Sequence, residues 1–220
     1  MTKGIVSGVV SNMVTLRVDG PVLQGEICYI TTGGDRLMAE VIKVVGSDVY
    51  VQVFESTRGL KVGSQAEFTG HQLEIQLGPG MLSKNYDGLQ NDLDKMDGVF
   101  LRRGQYTAPL DEDRLWDFEP IVKAGDRVQG SDWLGKVEEN HQPLKIMAPF
   151  QMEGTAVVKS IVPAGQYKVN DTIAVLTTEA GEDINVTMVQ HWPVKFAMTN
   201  YKEKPRPFKL LETGVRTIDT

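Results

Sequence analysis

The first seventy residues alternate apolar and polar positions and break at regular turn signals, the pattern of short strands with one buried face. Val14, Leu16 and Val18 alternate with Thr15 and Arg17 until Asp19-Gly20-Pro21 ends the run. Glu40–Val45 and Val49–Phe54 flank Gly46-Ser47-Asp48, a hairpin signal. In the second run Val49, Val51 and Val53 face one way, and Tyr50, Gln52 and Phe54 the other. Leu60-Lys61-Val62-Gly63 reads as another turn, before a strand near Gln65–Phe68. Five or six strands in this length predict a small closed barrel, since closure removes exposed edges.

The pattern then changes. Leu73, Ile75 and Leu77 alternate straight into Gly78-Pro79-Gly80, a tight reversal with a fixed proline. Asp87-Gly88 is a second turn signal. Leu89–Met96 predicts a short helical turn capped by Asn91 or Asp92. Val99-Phe100-Leu101 is a brief apolar piece, followed by a basic turn at Arg102-Arg103-Gly104 that faces solvent or an acidic partner. Asp111-Glu112-Asp113-Arg114 predicts the first turn of a helix, where carboxylates are favourable.

From about 118 to 190 a quasi-repeat runs. Val122-Lys-Ala-Gly125 leads through Val128 and Asp132 to Val137, and Val162-Pro-Ala-Gly165 through Val169 and Asp171 to Val175. Two copies are too few for a solenoid. They suit a two-fold sandwich in which each copy covers the other's apolar face. The linking stretch, Ile146–Phe150 and Glu153–Thr155, reads as strand, turn, strand. Prolines at 193, 205 and 207 make Trp192–Thr220 an extended connector, poorly ordered from about 195 for want of a packing partner. The domain plan is thus 1–72 barrel, 73–117 connecting segment, 118–190 sandwich and 191–220 connector, with a mainly β fold.

Composition narrows the function classes. With 41% hydrophobic and 24% charged residues the chain is an ordinary globular one. Its net charge of −6 lacks the basic footprint of a nucleic-acid binder. The single cysteine, Cys28, sits in an apolar run and permits neither a disulfide framework nor a cysteine metal site. No apolar run has the length of a membrane span, and the N-terminus lacks a signal-peptide pattern. The reading is a cytoplasmic protein.

The stretch LEIQLGPGMLSKNYDGLQNDLD at 73–94 resembles the "ELGPGLL…DGIQRPL" signature of the catalytic A subunit of V-type and archaeal-type rotary ATPases, and LLETGVRTIDT at 210–220 resembles that family's "PLxTGxRxID" lead-in to its nucleotide-binding domain. The sandwich resembles the barrel-sandwich hybrid of biotinyl and lipoyl carriers, which is also the kind of the family's inserted bulge domain. The resemblance implies structural and interface roles for Gly78, Pro79, Gly80, Asp87, Gly88, Thr213, Gly214, Arg216 and Asp219. It implies a barrel that joins B subunits in an alternating hexamer, and a bulge that reaches the peripheral stator stalks. One departure is that Leu89-Gln90-Asn91-Asp92-Leu93 replaces Ile-Gln-Arg-Pro-Leu, so loss of the proline predicts a looser turn.

No catalytic or cofactor-binding residue carries over. A P-loop, G-x-x-x-x-G-K-[ST], does not occur in the 220 residues. The resemblance places it just beyond Asp219, with ATP and Mg belonging to the full-length subunit. The chain is therefore expected to be an inactive N-terminal part truncated before the P-loop, peripheral to the membrane. Two other readings stand beside it. In a biotinyl-type carrier, Lys145 would be the modified lysine; that chemistry needs a lysine at an exposed hairpin tip, and the tip here reads Glu138-Glu-Asn-His-Gln-Pro143. In an OB-like binding module, Tyr29, Tyr50, Phe54 and Phe68 would supply stacking. His71, His141 and His191 lie far apart without ligand spacing, so no metal is expected. The Asp111/Glu112/Asp113 cluster could supply an acid–base pair or a cation site, but it reads better as a solvated turn or helix start, since clustered surface carboxylates are common.

Overall fold

A computed structural model describes residues 2–96, 98, 102–197 and 206. The structure is nearly all sheet, as the alternation requires. Six strands, β1 (Lys3–Val10), β2 (Met13–Val18), β3 (Glu26–Thr32), β4 (Asp35–Val45), β5 (Asp48–Val53) and β6 (Gln65–Gln72), close into a barrel in the order β1-β2-β5-β4-β3-β6. The inward positions of each strand fill the interior: Val6, Val14, Leu16, Cys28, Ile30, Leu37, Ala39, Val41, Val49, Val51, Val53, Ala66 and Phe68 are all buried. Val49, Val51 and Val53 point inward and Tyr50 and Gln52 outward, as the period of two dictates. Phe68 belongs to this core, and Tyr29 lies beneath the Arg36 guanidinium and edge-on to Tyr106. Tyr50 and Phe54 lie exposed on the barrel.

The second unit is built from two copies of one strand plan. The first copy supplies β8 (Leu115–Pro120), β9 (Arg127–Gln129), β10 (Trp133–Glu139) and β11 (Gln142–Met147), and the second β12 (Thr155–Ile161), β13 (Gly165–Lys168), β14 (Ala174–Thr178) and β15 (Asp183–Val186). One sheet runs β11-β10-β8-β13 and the other β15-β14-β12-β9. Each copy therefore lends its second strand to the other's sheet, which closes the sandwich. The repeat extends to single bonds. Asp132 and Asp171 each accept the amide three residues back, from Gln129 and Lys168, at 2.8 Å. Ile121 N donates to Leu134 O at 2.8 Å, and Val162 N to Ile173 O at 2.9 Å. Two apolar clusters fill the interior, one around Leu134, Val158 and Leu176, the other around Trp116, Phe118, Ile146 and Ile173.

The expected helix start at 111–114 is not helical. The chain enters β8 directly, and Leu115-Trp116-Asp117-Phe118-Glu119 alternates exposed and buried positions along the strand. Two-fold alternation over five residues outweighs the carboxylate preference of a helix N-terminus. The turn within 89–96 is a single 3₁₀ turn at Leu93–Lys95, capped by Asp92, whose side chain accepts from Asp94 N. Val99-Phe100-Leu101 and most of the stretch beyond residue 195, with Thr213, Gly214, Arg216 and Asp219, lie outside the described residues.

Candidate assembly site at the junction of the two units

The strand leaving the barrel, β7 (Glu74–Leu77), pairs antiparallel with the strand leaving the sandwich, β16 (Gln190–Pro193). The whole second unit is thus inserted through one two-stranded stem. Val194 N extends the pairing by donating to Leu73 O at 3.0 Å. The other side of β7 is closed by a side chain: Gln90 accepts Gln76 N and donates to Gln76 O, both at 2.7 Å. One amide side chain here stands in for a neighbouring strand.

Gly78-Pro79-Gly80 follows at the end of β7. A Cβ on Gly78 would sit 3.2 Å from Leu110 Cδ1 and from Met188 O, and Gly80 takes a φ of +104°. Both positions favour glycine, one for close approach and one for backbone sign. The carboxylate of Glu139, buried at the β10–β11 tip, accepts Gly80 N at 2.9 Å and Leu82 N at 3.0 Å. The tip itself is Asn140-His141, both with positive φ, and Asn140 donates to Ser83 Oγ at 3.1 Å. The hairpin end that a carrier domain would leave free is here docked on the GPG turn.

Asp87 organises the next loop. Its Oδ1 accepts Leu89 N at 2.9 Å and Asn91 N at 2.8 Å, and its Oδ2 accepts Asn91 Nδ2 at 2.8 Å. Asn91, buried, accepts Thr107 N at 3.0 Å in turn. Where loss of the proline predicts a looser turn, the Asp87 and Asn91 bonds tie the loop together. Gly88 has open space where a side chain would stand, with nothing within 4 Å. Asp92, also buried, faces Lys84 at 3.3 Å, and its hydrogen bond raises the Lys84 pKa.

Of the basic turn, Arg103 meets an acidic group of the chain itself and Arg102 is exposed. Arg103 forms an ion pair with Asp35 at the start of β4, through Nη2 at 2.5 Å and Nε at 2.9 Å, and its Nη1 also donates to Arg58 O. Glu55 accepts Gly104 N at 2.9 Å and the Tyr106 hydroxyl at 2.8 Å, and that hydroxyl accepts Met38 N at 2.9 Å. Burial, then the Glu55 bond, pushes the Tyr106 phenol well above its ordinary range. A second strap crosses from the stem, where Lys195 pairs with the buried Glu40 of β4. Residues 103–107 and 195 therefore hold the connecting chain against the barrel wall.

Two of the three histidines, remote in sequence, meet at the stem: His71 Nδ1 and His191 Nδ1 both lie 3.9 Å from Glu74 Oε2. No sequence spacing announces this, because strand pairing creates it. Among the described residues no group of three or more His, Cys, Asp or Glu is arranged to hold a metal ion. Lys145 lies within β11 with its ammonium 4.1 Å above the Trp133 ring. Asp113 accepts from Lys168 at 2.8 Å, and that bond holds its carboxyl below the usual range. Arg103, whose turn the sequence singled out, and Glu139, Gln90 and Lys195, which it did not, do more of the joining than Gly88.

This geometry defines a class: an all-β module in which a closed barrel carries a two-fold sandwich on a single stem. Residues 6–70 match the β-barrel domain of the ATP synthase alpha/beta family, and residues 107–195 match the alpha/beta subunit barrel-sandwich domain. The chain belongs to the ATP synthase alpha/beta family. The V-type ATP synthase alpha chain of Borreliella burgdorferi (strain ZS7) is 44% identical over 222 residues, covering 100% of this chain and 39% of the relative. Those of Treponema denticola and Borrelia hermsii are each 45% identical, covering 100% and 99% of this chain and 38% of each relative. The chain thus spans about two fifths of the length of these relatives. No described helix is long and apolar enough to cross a membrane.

Proposed function

We propose that this chain is the non-catalytic N-terminal part of the catalytic alpha (A) subunit of a V-type rotary ATPase, at the cytoplasmic head of the complex and peripheral to the membrane. The barrel joins B subunits in an alternating ring, the stem and its straps fix the second unit to it, and that unit projects as a bulge toward the peripheral stalk. ATP, Mg and the coupling of hydrolysis or synthesis to proton or sodium transport belong to the full-length subunit, through the P-loop that these 220 residues do not contain.

The observation that carries the ring role is the barrel's outer wall. A closed barrel has no strand edge to offer a neighbour, so it must associate through side chains. Its β4–β5 hairpin exposes Ile42, Val44, Val45 and Tyr50, with Val45 half exposed (50%). Exposed apolar side chains grouped on one hairpin of a well-packed unit mark an interaction surface. The test is co-purification of the chain with the B subunit of the same organism. Ile42→Asp and Tyr50→Asp are expected to abolish recovery while the melting temperature holds. Undiminished recovery in both variants would remove this surface from the ring interface.

The carrier reading finds no support at its decisive place. The hairpin tip carries no lysine and is bonded to the GPG turn through Glu139.

A further inference from the structure

The chain's negative charge is not spread evenly. Residues 107–190 hold 14 Asp and Glu against 7 Lys and Arg, whereas all other residues together hold 15 against 16. The whole surplus therefore resides in the bulge unit. Such a field attracts a basic partner and speeds its approach.

The bulge also exposes an aromatic side chain on one sheet face. The β11-β10-β8-β13 sheet packs Trp116, Phe118, Val137 and Ile146 inward. On its outer face Trp133 remains 52% exposed and Ile121 47% exposed. Backbone pairing brings the two strands together there, since Ile121 N donates to Leu134 O at 2.8 Å. Lys145 holds one side of the Trp133 ring at 4.1 Å, which fixes the indole in place. The same face carries the exposed carboxylates of Asp117 and Glu119 on β8 and Glu138 on β10, with Glu119 bridged to Lys136 at 2.7 Å. A half-exposed tryptophan on a sheet face that also carries Asp117, Glu119 and Glu138 beside Lys136 and Lys145 has the makings of a binding hot spot, because it buries a large area at little entropic cost.

We propose that this outer face, centred on Trp133, docks a basic amphipathic helix of a partner chain. An apolar residue of the helix seats against Trp133 and Ile121, and flanking Lys or Arg residues meet Asp117, Glu119 and Glu138. A helix suits the face because the contact lies on side chains above the sheet; a strand would need a free backbone edge. The proposal rests on the reading above, in which the bulge unit meets the peripheral stalk, and it names the patch and the chemistry of that contact.

The test measures binding of the 220-residue chain to the purified peripheral stalk of the same organism, at low and at moderate salt. Trp133→Lys is expected to weaken binding at least about tenfold, and Asp117→Lys/Glu119→Lys to weaken it and flatten its salt dependence. Val157→Lys, on the outer face of the opposite sheet and 40% exposed, is the control and is expected to leave binding unchanged. Thermal melts check that each variant is folded. Binding that survives Trp133→Lys and the double charge reversal, or fails only in Val157→Lys, overturns this face but leaves the stalk reading intact. Absence of binding by the unsubstituted chain overturns both.

Discussion

The Glu139 carboxylate, buried on the sandwich hairpin, accepts the backbone amide of Gly80 in the GPG turn at 2.9 Å. It accepts Leu82 N at 3.0 Å as well, so one side chain satisfies two amides some sixty residues away. This bond ties the sandwich to the end of β7, the β7–β16 stem joins the two units, and the Lys195–Glu40 pair ties the far end of the stem to the barrel.

Removing the carboxylate should release the turn. Glu139→Ala strands two partly buried amides and is expected to lower stability by about 2 kcal/mol. Glu139→Gln retains an acceptor and should lose about half of that. Urea midpoints of the three proteins check this, and equal midpoints would show the turn to be held by packing alone.

Gly135 has no room for a side chain. A Cβ there would stand 2.2 Å from Phe118 Cε2 and 2.8 Å from Glu119 O. The ring is buried and the carbonyl is backbone, so neither yields cheaply. Gly135→Ala is expected to destabilise the sandwich by about 1–3 kcal/mol. Hydrogen exchange should quicken in β8 and β10 and stay unchanged in the barrel strands.

Cys28 reports on the barrel. Burial first, then the nearby Glu26 charge, pushes its thiol up to about 12. At pH 8 the folded chain is expected to resist iodoacetamide, because the thiolate is the reacting form. Labelling should follow barrel opening in urea, and fast labelling of the native chain would contradict a closed barrel.

The Asp113–Lys168 pair sets a small pH dependence. The hydrogen bond between them lowers the Asp113 pKa from 3.8 and raises the Lys168 pKa from 10.5. The carboxylate contribution is full above pH 3.8 and fades as pH falls through the lowered value. The lysine contribution is full below pH 10.5 and fades as pH rises through the raised one. Both groups are exposed, so salt screens the effect. The melting difference between the native chain and Lys168→Met should be small at neutral pH and vanish in acid.

What the sequence made legible follows from locality. The valines at 49, 51 and 53 announced their strand and its inward face, because period-two alternation is written in consecutive residues. The repeat around Asp132 and Asp171 was visible for the same reason, and both aspartates make the same bond. Partners across long separations were not visible. Nothing near Arg103 points to Asp35, and nothing near His71 points to His191. Glu139 looked like one more charge at a hairpin tip, and only the docking of that tip makes it an anchor. The acidic run at 111–113 fitted both a solvated turn and a helix start, and the chain takes the turn, because the same residues that start helices also populate the turn before a strand.

Head assembly is the role proposed for this chain within a rotary ATPase alpha subunit. Native mass spectrometry of the chain mixed with the B subunit of the same organism tests it most directly. Mixed complexes holding the two chains in equal number are expected, with no ATP turnover by the 220-residue chain alone. Two separately folded proteins that never associate would contradict it.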